Sequence, residues 1–79
     1  MDIVEGQVAE HNCMGKAMFV KVESQENKGT MLYFRRDDLG EEAWSHIRAI
    51  NLADTLRVEV GPEMPGRGGP FHPVLKFID

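Results

Sequence analysis

Lys16-Ala17-Met18-Phe19-Val20-Lys21-Val22 and, after a polar loop, Thr30-Met31-Leu32-Tyr33-Phe34-Arg35-Arg36 decide the fold of this 79-residue chain. Both stretches alternate with period two, the pattern of a strand whose two faces meet different surroundings. Met18, Val20 and Val22 point one way in the first, and Leu32 and Phe34 point inward in the second. The opposite faces carry Phe19 beside Lys21, and Met31, Tyr33 and Arg35. A half-buried strand is expected to show polar residues to water, so these aromatic residues need a partner. The linking Ser24-Gln25-Glu26-Asn27-Lys28-Gly29 is polar and ends in glycine, which makes the pair a hairpin.

Working outward, Val4–His11 reads as an earlier strand with Val4 and Val8 inward and Gly6 between them, where a glycine marks a bulge or a bend. Asn12-Cys13-Met14-Gly15 reads as the turn into the next strand. After the hairpin, Asp38 offers an N-cap with Glu41 three residues on. Leu39, Ala43, Ile47 and Ile50 then recur at helical spacing, predicting one helix over Asp38–Ile50 with Trp44 beside its apolar stripe. Thr55–Val60 is a fourth strand with Leu56, Val58 and Val60 inward. Gly61–Pro73 holds four Gly and four Pro and reads as a long loop. Val74–Ile78 is a last strand with Leu75 and Phe77 inward.

The order β-β-β-α-β-β is that of an all-β, five-stranded, partly open OB-fold barrel, the oligonucleotide/oligosaccharide-binding type, with one helix between strands 3 and 4. Residues 1-79 make one domain, since a chain this short buries a single modest core. No apolar run approaches the length of a membrane span, and the acidic start Met1-Asp2-Ile3-Val4-Glu5 lacks a signal-peptide core. One cysteine, Cys13, cannot close an internal disulfide, so a cytoplasmic setting is expected.

The net charge of −4 argues against a nonspecific duplex binder, whose affinity comes from cations on phosphates. It leaves room for a binder of single strands, where stacking supplies affinity. Phe19, Tyr33 and Arg35 on neighbouring strands would form such a platform. Lys16, Lys21 and Arg36 would meet the backbone, His11 would stand at the edge, and Phe71 and His72 would close over one end. Phe71 has a second reading, as a plug in the barrel mouth. The whole face has one too, as the seat of a helix or of a protein partner.

The chain resembles the cold-shock domain. Val4-Glu5-Gly6-Gln7-Val8 matches that family's apolar-Glu-Gly-x-Val opening, and Asn12 falls where the family keeps an Asn before its first turn. Phe19-Val20 aligns with the end of the first ribonucleoprotein motif, and Tyr33 with the first aromatic of the second. Gly66-Arg67-Gly68-Gly69-Pro70 is similar to the Gly-Pro loop before strand five. The resemblance implies binding of single-stranded RNA or DNA. It departs at Ala17, where a stacking aromatic is usual, at Glu10-His11, where a Trp-Phe pair is usual, and at Arg35-Arg36. The helix Asp38–Ile50 gives the chain a likeness to S1-type barrels as well.

Catalytic chemistry has no foothold in the sequence, and no cofactor is implied. His11, Cys13 and His72 lack zinc spacing. The acidic Asp37-Asp38-x-x-Glu41-Glu42 belongs naturally at a helix N-terminus. Gly66–Gly69 lacks the Lys-Ser/Thr of a phosphate loop. Two functions remain. One is a single-stranded nucleic-acid module. The other is an interaction barrel that buries Met31, Tyr33, Phe19 and Trp44 against a second copy or a protein partner, for which five methionines suit an adaptable surface.

Overall fold

The computed structural model describes residues 2–25 and 28–78. Glu26 and Asn27 of the expected hairpin loop lie outside them. Among the described residues the elements run β1 (Asp2–Met14), β2 (Ala17–Glu23), β3 (Lys28–Arg35), α1 (Arg36–Leu39), α2 (Glu41–Arg48), β4 (Thr55–Val60) and β5 (His72–Phe77). The strands close into a barrel in the order β1-β2-β3-β5-β4. This is the OB-type arrangement, with closure rather than a partly open wall.

Strand β1 makes closure possible by serving two partners. Its first half pairs with β4 through Gln7, and its second half pairs with β2 from Gln7 to Met14. Where it changes partner, Gly6 lies against the backbone of Glu23, and a Cβ at residue 6 would stand 2.8 Å from the Glu23 carbonyl oxygen. A register shift between Val8 and Glu10 then bends the strand further. Pairing continues through Cys13 and Met14, so the turn is confined to Gly15 and Lys16 and is shorter than the sequence suggests.

The core is the inner face foreseen from alternation: Val4 and Val8, Met18, Val20 and Val22, Leu32 and Phe34, Leu56, Val58 and Val60 are all buried. The expected single helix is instead two, broken at Gly40. That residue takes φ 87° and ψ 166°, a conformation that glycine adopts without steric cost. No side chain caps either helix, so the Asp38–Glu41 capping box does not form. Helix α2 sends Trp44 and Ile47 into the core, and Ile50 follows from just beyond it. Trp44 is thereby withdrawn from any partner surface.

Leu75 is the clear correction in the core. It is 52% exposed, whereas Val74 is buried. Val60 pairs with Val74 but Val58 with Phe77, so the register shifts between them. One extra residue on β5 flips its parity, turning Val74 and Phe77 inward and Leu75 out. Phe77 is half-buried, its ring stacked 5.8 Å from that of Phe34.

The Gly/Pro segment is more regular than its composition suggests. Met64 and Phe71 exchange backbone hydrogen bonds, each N–H donating to the other's carbonyl. Gly69 N–H donates to the Gly66 carbonyl at the tip. His72 and Pro73 already belong to β5 and lie beside Leu32 and Tyr33 in a short parallel pairing. The loop is thus a small hairpin fastened to the edge of β3.

Candidate nucleic-acid interface

Antiparallel pairing sets Phe19 directly opposite Tyr33, Lys21 opposite Met31 and Ala17 opposite Arg35. Their neighbours Met18, Val20, Leu32 and Phe34 are buried, so these six lie on the outer face. The Phe19 and Tyr33 ring centroids are 4.8 Å apart. Phe71 completes the cluster, edge-on to Phe19 at 5.8 Å and tilted against Tyr33 at 5.3 Å. Such spacings are favourable for aromatic pairs. All three residues are half-buried, covered in part by one another. Phe71 therefore caps the outer face and does not plug the barrel mouth, and the helices contribute to the core.

A groove of about 310 Å³ opens beside the rings. Phe19 and Phe71 line it, together with Glu10, His11, Asn12, Lys21, Met31 and the loop Gly66–Gly69. Asn12 faces Phe19 across the β1–β2 ladder, and Glu10 faces Lys21. Glu10, Asn12, Lys21 and Arg67 make no side-chain hydrogen bond or ion pair with another described residue. His11 stands exposed at the groove, opposite the buried Val20.

The other expected contacts are dispersed. Arg35 shares the outer face with Tyr33 but is exposed, and its Nε stands 3.9 Å from an Asp38 carboxylate oxygen. Arg36 opens α1 and has Glu41 at 3.9 Å. Lys16 is exposed in the β1–β2 turn, and its carbonyl accepts a hydrogen bond from Arg36 N–H. His72 is turned to structural use. Its Nδ1 donates to the Gly61 carbonyl at 3.0 Å, and its Nε2 lies 3.8 Å from Glu63. Arg67 is a groove residue that no periodicity in the sequence marks. Its signal was its place at the tip of the Gly/Pro loop.

No protein-family model matches the chain, and no curated protein does. Among solved structures the barrel is similar to part of asparaginyl-tRNA synthetase from Pyrococcus horikoshii, at 17% identity and a TM-score of 0.75 over 96% of this chain. The asparaginyl-adenylate complex of that enzyme gives a TM-score of 0.76. This chain spans only 18% of the synthetase chain. It is also similar to an OBody bound to hen egg-white lysozyme, at 19% identity and a TM-score of 0.68, covering 92% of this chain and 74% of that one. At these identities the likeness is one of fold. Among the described residues no helix is long and apolar enough to cross a membrane, and no three His, Cys, Asp or Glu are grouped to hold a metal ion.

Proposed function

We propose that this barrel is a binding module for single-stranded RNA or DNA, with no catalytic role, and that Phe19, Tyr33 and Phe71 stack on unpaired bases. The observation that carries this reading is the cluster of three rings, 4.8–5.8 Å apart, on an outer barrel face where period two calls for polar residues. Each stacked base is worth about 1–3 kcal/mol, enough to offset an acidic chain's weak attraction for phosphate. Lys21 and Arg67 border the groove without an ion-pair partner among the described residues and would meet the backbone. Lys16, Arg35 and Arg36 extend that cationic edge. His11 supplies a ring or a hydrogen bond at the groove's end.

The cold-shock resemblance supports the reading. So does the likeness to part of an enzyme named for tRNA. A cytoplasmic setting fits a chain whose single cysteine, Cys13, is exposed and unpaired. The test is fluorescence anisotropy with labelled oligo-U and oligo-dT at low salt, comparing the native protein with Tyr33→Ala. Saturable binding that weakens by about 1–3 kcal/mol in the variant supports the reading. Absence of binding to either strand contradicts it.

The second reading is protein recognition by the same face. One observation favours it: a barrel of this shape, at TM-score 0.68, is an OBody bound to lysozyme. Phe19, Met31 and Tyr33 would form that surface or a homodimer seam, and Trp44 would take no part.

A further inference from the structure

The groove beside the rings carries a charge that phosphate would avoid. Glu10 lies directly opposite Lys21 on the neighbouring strand, a placement suited to a cross-strand ion pair. The pair does not form. Lys21 leans the other way, its Cε so near Gly29 that a Cβ there would stand 2.9 Å off. Glu10 is left at the groove wall with a carboxylate that no described residue claims, and Asn12 follows two residues on, opposite Phe19. At about 310 Å³ the groove lies at the low end of the roughly 300–1,000 Å³ usual for small-ligand sites, room for a base rather than a larger group.

An ionised carboxylate only accepts hydrogen bonds, and it takes two parallel donors best. Among the four bases, guanine alone presents two adjacent donors on its Watson–Crick edge, N1–H and the N2 amine. Uracil offers one donor flanked by two carbonyls that a carboxylate repels. Adenine and cytosine offer one amine beside an unprotonated ring nitrogen. We propose that Glu10 makes this groove a guanine-selective base site, the base packed in the corner between the perpendicular Phe19 and Phe71 rings, its face on one and its rim against the other, with its N1–H and N2 amine donating to the Glu10 carboxylate. Asn12 is in reach of the same base's remaining edge. Lys21 and Arg67 hold the flanking phosphates away from Glu10. This inference rests on the nucleic-acid reading of the same face.

The experiment uses a uridine strand of about eight nucleotides and three versions with one central residue changed to guanosine, adenosine or inosine. Inosine keeps N1–H and loses the N2 amine. The native protein is expected to bind the guanosine strand about tenfold more tightly than the uridine strand. Adenosine and inosine are expected to recover less than a third of that gain, which separates edge reading from the stronger stacking of any purine. Glu10→Gln keeps the shape, removes the charge and should bring guanosine and adenosine strands within about twofold of each other. Equal affinity for all four strands, or a preference that survives Glu10→Gln, overturns the guanine site and leaves single-strand binding standing. Failure of every strand to bind overturns both.

Discussion

The edge of the Phe71 ring lies over Gly66 so closely that a Cβ at residue 66 would stand 3.0 Å from Phe71 Cδ1 and 2.8 Å from the Gly69 carbonyl oxygen. The loop tip is thus the bed on which the third ring of the cluster rests. The Met64–Phe71 bridge closes that bed into a hairpin, and Phe71 runs directly into β5. Gly66→Ala must shift either loop backbone or ring. The expected result is a barrel that still folds, destabilised by about 0.5–3 kcal/mol. Phe71 would move away from Phe19 and Tyr33, seen as changed ring-proton shifts of Tyr33 in NMR spectra. Unchanged Tyr33 shifts would show that the loop yields without moving the ring.

Gly6 tests the closure of the barrel in the same way. Its space is taken by the Glu23 backbone, which a side chain cannot push aside cheaply. Gly6→Ala should cost about 1–3 kcal/mol in urea unfolding, the usual cost of overpacking. Gly68→Ala is the control, since nothing lies within 4 Å of its added Cβ. It should stay within about 0.5 kcal/mol of the native protein.

Leu56 and Leu75 are chemically identical and differ in surroundings, 3% against 52% exposed. Leu56→Ala should destabilise by about 2–5 kcal/mol, and Leu75→Ala by about 0.5 kcal/mol or less. Thermal or urea unfolding of the two variants reads the β5 register directly. A large loss at Leu75 would restore the regular alternation that the bulge breaks.

This pair also marks what was legible in the sequence. Strands β2, β3 and β4 could be read because alternation runs through them unbroken, from Met18 to Val22, Leu32 to Phe34 and Leu56 to Val60. On β5 a one-residue shift reverses the parity, and a bulge leaves no mark in a stretch where Val74, Leu75 and Phe77 are all apolar. The break at Gly40 leaves no mark in the pattern because Leu39, Ala43 and Ile47 keep helical spacing across it. Phe19 and Tyr33 were legible as a pair from shared parity. Phe71 joins them from the end of a Gly/Pro hairpin, just ahead of the His72–Leu32 pairing, and no periodicity announces that placement. Arg67 reaches the groove by the same route.

Cations with and without internal partners should differ in their effect on salt dependence. Arg67→Ala or Lys21→Ala should lower the slope of log affinity against log salt by about 0.7 for a single strand, one phosphate's worth. Arg35 has Asp38 nearby, so Arg35→Ala should change the slope by less. Slopes unchanged from the native protein's in all three variants would remove these side chains from phosphate contact.

An NMR titration with oligo-U and with oligo-dT, at low salt, tests the central claim most directly. Amide shift changes are expected in residues 16–21, 33–36 and 66–71, with the opposite side around Thr55–Arg57 unmoved. No change with either strand, together with a concentration-dependent dimer that buries Tyr33, would contradict it and make the aromatic face a protein interface.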